Sequence, residues 1–169
     1  MIEKLIQGLQ GLPEELIVMI ISALPISELR GGIPIGMALY NFSAMKSFLL
    51  AVFGNFIPVI PLLLFLKPIR EFLSKWGPLK KFFDWFFERT KRKARIVEKY
   101  EAIGLALFVA IPLPFTGAWT GCVAAILFKL RFKYAVIAIM SGVFIAGIIV
   151  AILSFAGMGM IQHFQSLNR

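Results

Sequence analysis

The chain is poor in the residues that build redox and metal centres. It contains one cysteine, Cys122, and one histidine, His163. A single cysteine excludes an intramolecular disulfide and a CxxC redox pair. No HExxH, no Cys/His cluster and no GxSxG occurs, so zinc-hydrolase and serine-hydrolase chemistry find no support. No enzyme activity, metal or cofactor is expected, and His163 reads as an interfacial residue. Charge is scarce too. Only 16% of the 169 residues are charged, 59% are hydrophobic, and the mean hydropathy is +0.85. A soluble domain of this size could not cover its surface with so few polar groups. The first ten residues, with Glu3, Lys4 and Gln7 in a helical pattern, also lack the basic-then-apolar layout of a cleavable signal peptide.

What is present fits an all-α integral membrane protein forming a single membrane domain over 1–169. Apolar stretches cover 47–66 and 134–161. Two more, 16–27 and 102–128, are bounded or broken by proline and glycine. The net charge is +9, and eleven of the eighteen Lys and Arg residues fall between Lys67 and Lys99. The positive-inside rule makes 67–100 a cytoplasmic linker of a multi-pass protein in the inner (cell) membrane. Interleaved aromatics and flanking spans argue against a nucleic-acid partner. Within this linker Phe72, Trp76, Leu79, Phe83 and Phe86 or Phe87 recur at helical steps among basic residues. That is the pattern of amphipathic helices lying in the interface, with Lys91, Arg92, Lys93 and Arg95 facing anionic lipid. Such a segment could be an anchor, or a gate or guide for lipid headgroups.

The two halves resemble each other. Residues 26–40, ISELRGGIPIGMALY, and 111–125, IPLPFTGAWTGCVAA, share Ile-x5-Gly-x3-Gly, with Gly32 opposite Gly117 and Gly36 opposite Gly121. Each half then continues through a short apolar piece and a basic loop residue (Lys46, Arg131) into a long apolar helix. Gly54 and Gly142 fall at similar places in those helices. Paired, interrupted apolar segments at corresponding positions point to a transporter's binding site. Each interrupted segment could cross the membrane or dip in and return. If both cross, Lys129, Arg131 and Lys133 land opposite the basic linker. If 102–128 is re-entrant, fourteen of the eighteen basic residues share one face, which charge favours. The expected architecture is therefore two inverted repeats, 12–66 and 101–161. Each has a re-entrant broken helix hairpin plus one transmembrane helix, at about 46–66 and 134–158. The ingoing arms would be 13–25 and 102–112, the outgoing arms 33–42 and 118–128. A 12-residue arm rises about 18 Å, a little over half of a ~30 Å hydrocarbon core.

The hairpin tips carry the candidate site: Glu28, Arg30, Gly31, Gly32 and Pro34 in the first, Pro112, Pro114, Thr116, Gly117, Trp119 and Thr120 in the second. Non-helical backbone at membrane depth must be buried or line a wet cavity, so the tips are expected to meet near the midplane. Pro34 is expected in the first turn of one outgoing helix, and Thr116 as N-cap of the other. Helix N-termini and the forked Arg30 guanidinium suit an anion. Glu28 must be paired, wet or protonated at such depth, and could bind and release a proton. The alternative is an ion pair that only fixes the hairpin. Trp119 could be a ligand contact or packing, and Asn55 a pore-lining amide or an interhelical hydrogen bond. Pro58 and Pro61 should kink the first span.

The motifs "SELRGGIPIG" and "IPLPFTGAWTG" together resemble the family named putative small multi-drug export proteins, over nearly the whole chain. That family is distantly similar to the DedA membrane proteins, some of which move polyprenyl-phosphate lipids between leaflets. The resemblance implies a small proton-coupled transporter or exporter, with Glu28 in the acidic role and Arg30 in the basic one. It differs from DedA proteins in having no arginine at the second tip. The cargo would be an anionic lipid headgroup or a small drug-like or anionic solute, carried by alternating access in a homodimer. A non-transporting scaffold protein is the competing class.

Overall fold

The computed structural model describes residue 6, residues 8–9, 11–65, 94–113 and 116–167. These are helical, with no strand among the described residues. Six helices follow in order: α1 (Glu14–Ala23), α2 (Glu28–Ala38), α3 (Ala44–Phe56), α4 (Ala94–Ala110), α5 (Ala118–Leu127) and α6 (Phe132–Leu167). The linker 67–100 expected to lie in the interface falls outside the described residues, apart from the backbone of α4 from Ala94.

Length separates these helices into two classes. The apolar run that begins with α3 extends over Ala44–Phe65, 22 residues, and the apolar part of α6 over Phe132–Met160, 29 residues. At 1.5 Å per residue these measure about 33 and 43 Å, enough to cross a membrane. They match the two expected spans. Helices α1, α2 and α5 have only 10 or 11 residues, about 15 Å each, and none could cross alone.

Local chemistry sets the ends. Pro13 precedes α1 and Glu14 and Glu15 fill its first turn, where carboxylates favour the helix dipole. The helix stops because Leu24, at ψ 142, is extended, the conformation imposed on a residue before proline, here Pro25. The Ser43 hydroxyl caps α3 by accepting from the Lys46 N–H at 3.2 Å. The regular helix is interrupted at 57–58 and resumes at 59–65, because Pro58 and Pro61 have no N–H to give to the carbonyls four residues back. At the end of α5, Lys129 is left-handed (φ 57). Its N–H reaches the Ile126 carbonyl at 3.1 Å, and the Leu130 N–H reaches Ala125 at 2.9 Å, the pair of bonds of a Schellman motif.

The chain packs as two compact units, Met1–Pro58 with Val143–Arg169, and Val59–Gly142. The first buries Ile17, Val18 and Ile21 of α1, Leu29 and Ile33 of α2, Ala51 and Val52 of α3, and Val143 of α6. The second buries Val59, Leu63, Leu105, Val109, Cys122 and Ile139. The Cys122 thiol donates to the Val59 carbonyl at 3.8 Å. One packing feature recurs in both. A Cβ on Gly54 of α3 would lie 2.3 Å from the Met19 carbonyl oxygen of α1. A Cβ on Gly142 of α6 would lie 2.6 Å from the Ala106 oxygen of α4. In each unit a long helix thus meets the first helix of the preceding hairpin backbone to backbone, through the two glycines that correspond in sequence. Of the other matched pairs, Gly36 and Gly121 both lie inside helices, but Gly32 lies inside α2 whereas Gly117 precedes α5.

Candidate functional site

The first tip is Leu24–Ser27. Ile26 is exposed, and Ser27 is buried with its hydroxyl donating to the Ile21 carbonyl. The Glu28 N–H donates to the Leu24 carbonyl at 3.0 Å. Glu28 opens α2 with φ 46, a left-handed conformation that costs an L-residue roughly 1–2 kcal/mol. Its side chain is 6% exposed and that of Arg30 26%. Arg30 Nη2 lies 3.4 Å from Glu28 Oε2. A buried acid thus faces a guanidinium at the edge of the packed region.

The expected outgoing arm, 33–42, is corrected to Glu28–Ala38. Arg30, Gly31 and Gly32 are helical, and Pro34 sits in the second turn rather than the first. The cause is that the chain re-enters the helix directly after the Pro25 turn. Pro34 offers no N–H to the Arg30 carbonyl, so that carbonyl leaves the helical ladder. Helix α2 then packs against α3 through small residues. A Cβ on Gly36 would be 2.7 Å from Ser47 Oγ, and one on Gly32 would be 1.8 Å from Ser22 Oγ and 3.4 Å from the Ala51 Cβ. The contacts Gly36–Ser47 and Gly32–Ala51 define one antiparallel register, four residues back on α2 for four forward on α3. The next step sets Glu28 level with Asn55. Asn55 is 1% exposed, and its Oδ1 and the Ser47 Oγ are buried with no hydrogen-bond partner. Asn55 is therefore not an interhelical hydrogen bond through this oxygen.

At the other end of the hairpin, Lys46 Nζ lies 2.8 Å from Glu15 Oε1 and 3.8 Å from the Phe42 ring centroid. Lys46 is in the first turn of α3 rather than in a loop. The hydrogen bond from its ammonium holds the Glu15 carboxyl below its usual range.

The second tip carries no charge among its described residues, and its polar side chains are used locally. Thr116 is not the N-cap of α5. Its hydroxyl accepts from the Leu113 N–H at 3.0 Å and is shared as a donor between the carbonyls of Ile111 and Leu113, which closes the turn around Pro112. Gly117 takes the N-cap position in extended backbone. Its N–H donates to Thr120 Oγ1 at 3.0 Å, and the Gly121 N–H to the Gly117 carbonyl at 2.8 Å. Trp119 is half-buried. Pro114 lies outside the described residues. The two tips belong to different units, so the structure brings together Glu28, Arg30, Gly31, Gly32, Pro34 and Asn55 in one and Pro112, Thr116, Gly117, Trp119 and Thr120 in the other.

The family model described as "Putative small multi-drug export protein" matches residues 28–149. The chain belongs to this family. No curated protein and no solved structure matches. The region matched to the small multi-drug export family runs from Glu28 and takes in Arg30, Asn55 and the second tip. The family description and the two long apolar helices make the chain a membrane protein of an export family. Sequence reasoning missed Ser22, Ser27 and Ser47, and the Glu15–Lys46 pair. A signal existed for Ser47, since Ser47, Ala51 and Asn55 stand four residues apart on one face of α3.

Proposed function

We propose that the protein is a small secondary transporter that moves an anionic lipid headgroup or a small anionic or drug-like solute by alternating access. The observation that carries this reading is the buried Glu28 beside Arg30 at the start of a half-length apolar hairpin, held in a left-handed conformation. A glycine would take that conformation without cost, and an apolar residue would avoid desolvating a carboxylate. Strain and buried charge at one residue are features of functional sites.

In this reading the two hairpins are re-entrant and belong to inverted repeats. The short lengths of α1, α2 and α5 support it. Arg30 would hold the anionic group, and Glu28 would carry the coupling proton. The basic linker would lie on the cytoplasmic face of the inner membrane against anionic lipid, and two chains would pair to cover the tips. The DedA likeness belongs to the same proposal.

Two measurements test it. Purified protein in liposomes should carry anionic cargo, and Glu28→Gln and Arg30→Ala should each abolish coupled flux. For topology, Cys122→Ser gives a background free of thiols. An impermeant thiol reagent outside the cell should then label Lys46→Cys and miss Phe132→Cys. Labelling of both rules out the re-entrant second hairpin. The 3.4 Å Glu28–Arg30 pair also suits a scaffold reading, in which the pair only fixes the hairpin. Variants that lose stability while every flux stays unchanged would establish that second reading.

A further inference from the structure

We infer that the chain builds the same three-helix scaffold twice, and that Glu28 and Arg30 are a chemical site set on the first copy rather than part of what holds that copy together. The inference rests on the transport reading above and sets it against the scaffold reading. The landmarks of the first unit recur in the second 87 to 89 positions later. Helix α1 ends at Ala23 and α4 at Ala110, and each is followed two residues on by a proline, Pro25 and Pro112. Helices α2 and α5 end at Ala38 and Leu127, and a left-handed residue follows each, Asn41 and Lys129. Helices α3 and α6 begin at Ala44 and Phe132.

The packing recurs with the ends. Gly54 meets the Met19 backbone as Gly142 meets that of Ala106. A Cβ on Gly32 would lie 1.8 Å from Ser22 Oγ of α1 and 3.4 Å from the Ala51 Cβ of α3. One on Gly121 would lie 2.6 Å from Val109 Cγ2 of α4 and 3.5 Å from Ile139 Cγ1 of α6. Each glycine is the notch in which the outgoing helix takes its two neighbours. By contact, then, Gly32 corresponds to Gly121 and not to Gly117.

That correspondence fixes the tips. Ser27 falls on Thr116, and both hydroxyls donate to a carbonyl at the close of the preceding helix, those of Ile21 and Ile111. Glu28 falls on Gly117 and Arg30 on Trp119. The hydroxyl tie, the glycine notch and the backbone contact are common to both copies and belong to the scaffold. The acid and the guanidinium are not common. The second copy makes the same packing with a glycine and an indole in their places. In the first, a carboxylate 6% exposed sits at a left-handed residue, φ 46, where burial and backbone strain both oppose folding. A feature that costs stability, and that the second copy does without, is kept for chemistry.

The test exchanges residues between the copies in the full chain. Ser27→Thr takes a shared element from the second tip and should change neither melting nor transport. Glu28→Gly with Arg30→Trp takes the unshared pair. Replacing both members of a buried ion pair leaves neither of the two stranded, so this variant should melt in detergent at or above the temperature of the parent. Uptake of radiolabelled benzenesulfonate, an anionic probe, into liposomes should be lost in it. Glu28→Gly with Arg30→Leu should behave alike, and it decides the matter if the bulk of the indole does not fit. Melting of both double variants roughly 5 °C or more below the parent overturns the inference and makes the pair the fastening of the hairpin. Parent-like melting with undiminished uptake takes Glu28 and Arg30 out of the transport cycle and overturns their assignment as the site. A parent chain that takes up no benzenesulfonate overturns the anion site itself, a failure of the transport reading that the melts distinguish from a failure of the scaffold comparison.

Discussion

Replacing Gly54 by alanine should separate α1 from α3. The new methyl would lie 2.3 Å from the Met19 carbonyl oxygen, 2.7 Å from its Cα and 2.9 Å from its carbonyl carbon. All three are backbone atoms, so no rotamer change can relieve the overlap. The helices must part by about 1 Å to restore van der Waals contact, and a gap of that size forfeits a quarter to a half of each neighbouring dispersion contact. Within a membrane, such packing is the main force between helices. A cost of about 3 kcal/mol follows, at the upper end for an overpacked site, or a fall in melting temperature of roughly 5–10 °C. The assay is thermal unfolding of the purified protein in detergent. Gly104→Ala and Gly157→Ala supply the control, because a Cβ at either position meets nothing within 4 Å. Those two should gain about 0.5–1 kcal/mol from higher helix propensity. Equal melting of Gly54→Ala and the parent, or an equal loss in the controls, would refute the backbone-contact account.

Other substitutions separate strain from function. Glu28→Gly should raise the melting temperature if Glu28 is strained for the sake of transport, since glycine takes φ 46 freely, while coupled flux is lost. A lower melting temperature would instead indicate that the ion pair holds the hairpin. Lys129→Gly should add about 1 kcal/mol by relieving the left-handed C-terminal position of α5, and a valine there should do the reverse in the same melt. Acid stability should depend on Glu15. Its folded carboxyl is lowered from the model-compound value of 4.5 by the Lys46 hydrogen bond. Its contribution is therefore complete above 4.5 and disappears as the pH falls through the lowered folded value. Lys46→Met should flatten that dependence in melts between pH 3 and 6.

Composition and periodicity were enough to establish a membrane chain, its two long spans near 46–66 and 134–158, and the start of the first hairpin at Pro13. Those features follow from hydrophobic length and from proline's missing N–H, both local properties of the chain. The motifs around Glu28 and Gly117 also carried the family. Tertiary packing decided the rest. The proline and glycine interruptions placed the first tip around the glycines 31 and 32, but Gly31 packs closely on Ser27 and Gly32 on Ser22 and Ala51, and the turn is made by Leu24 and Pro25. A glycine looks the same in sequence whether it permits a bend or a contact, and only the partner helix distinguishes them. Likewise, the hydroxyl of Thr116 had several backbone groups within reach, and the path of 111–117 selected the turn over the cap. Glu28 and Asn55 are 27 positions apart, and no local pattern aligns them. Their common level is set by α2 and α3 packing through small residues, a choice made in three dimensions.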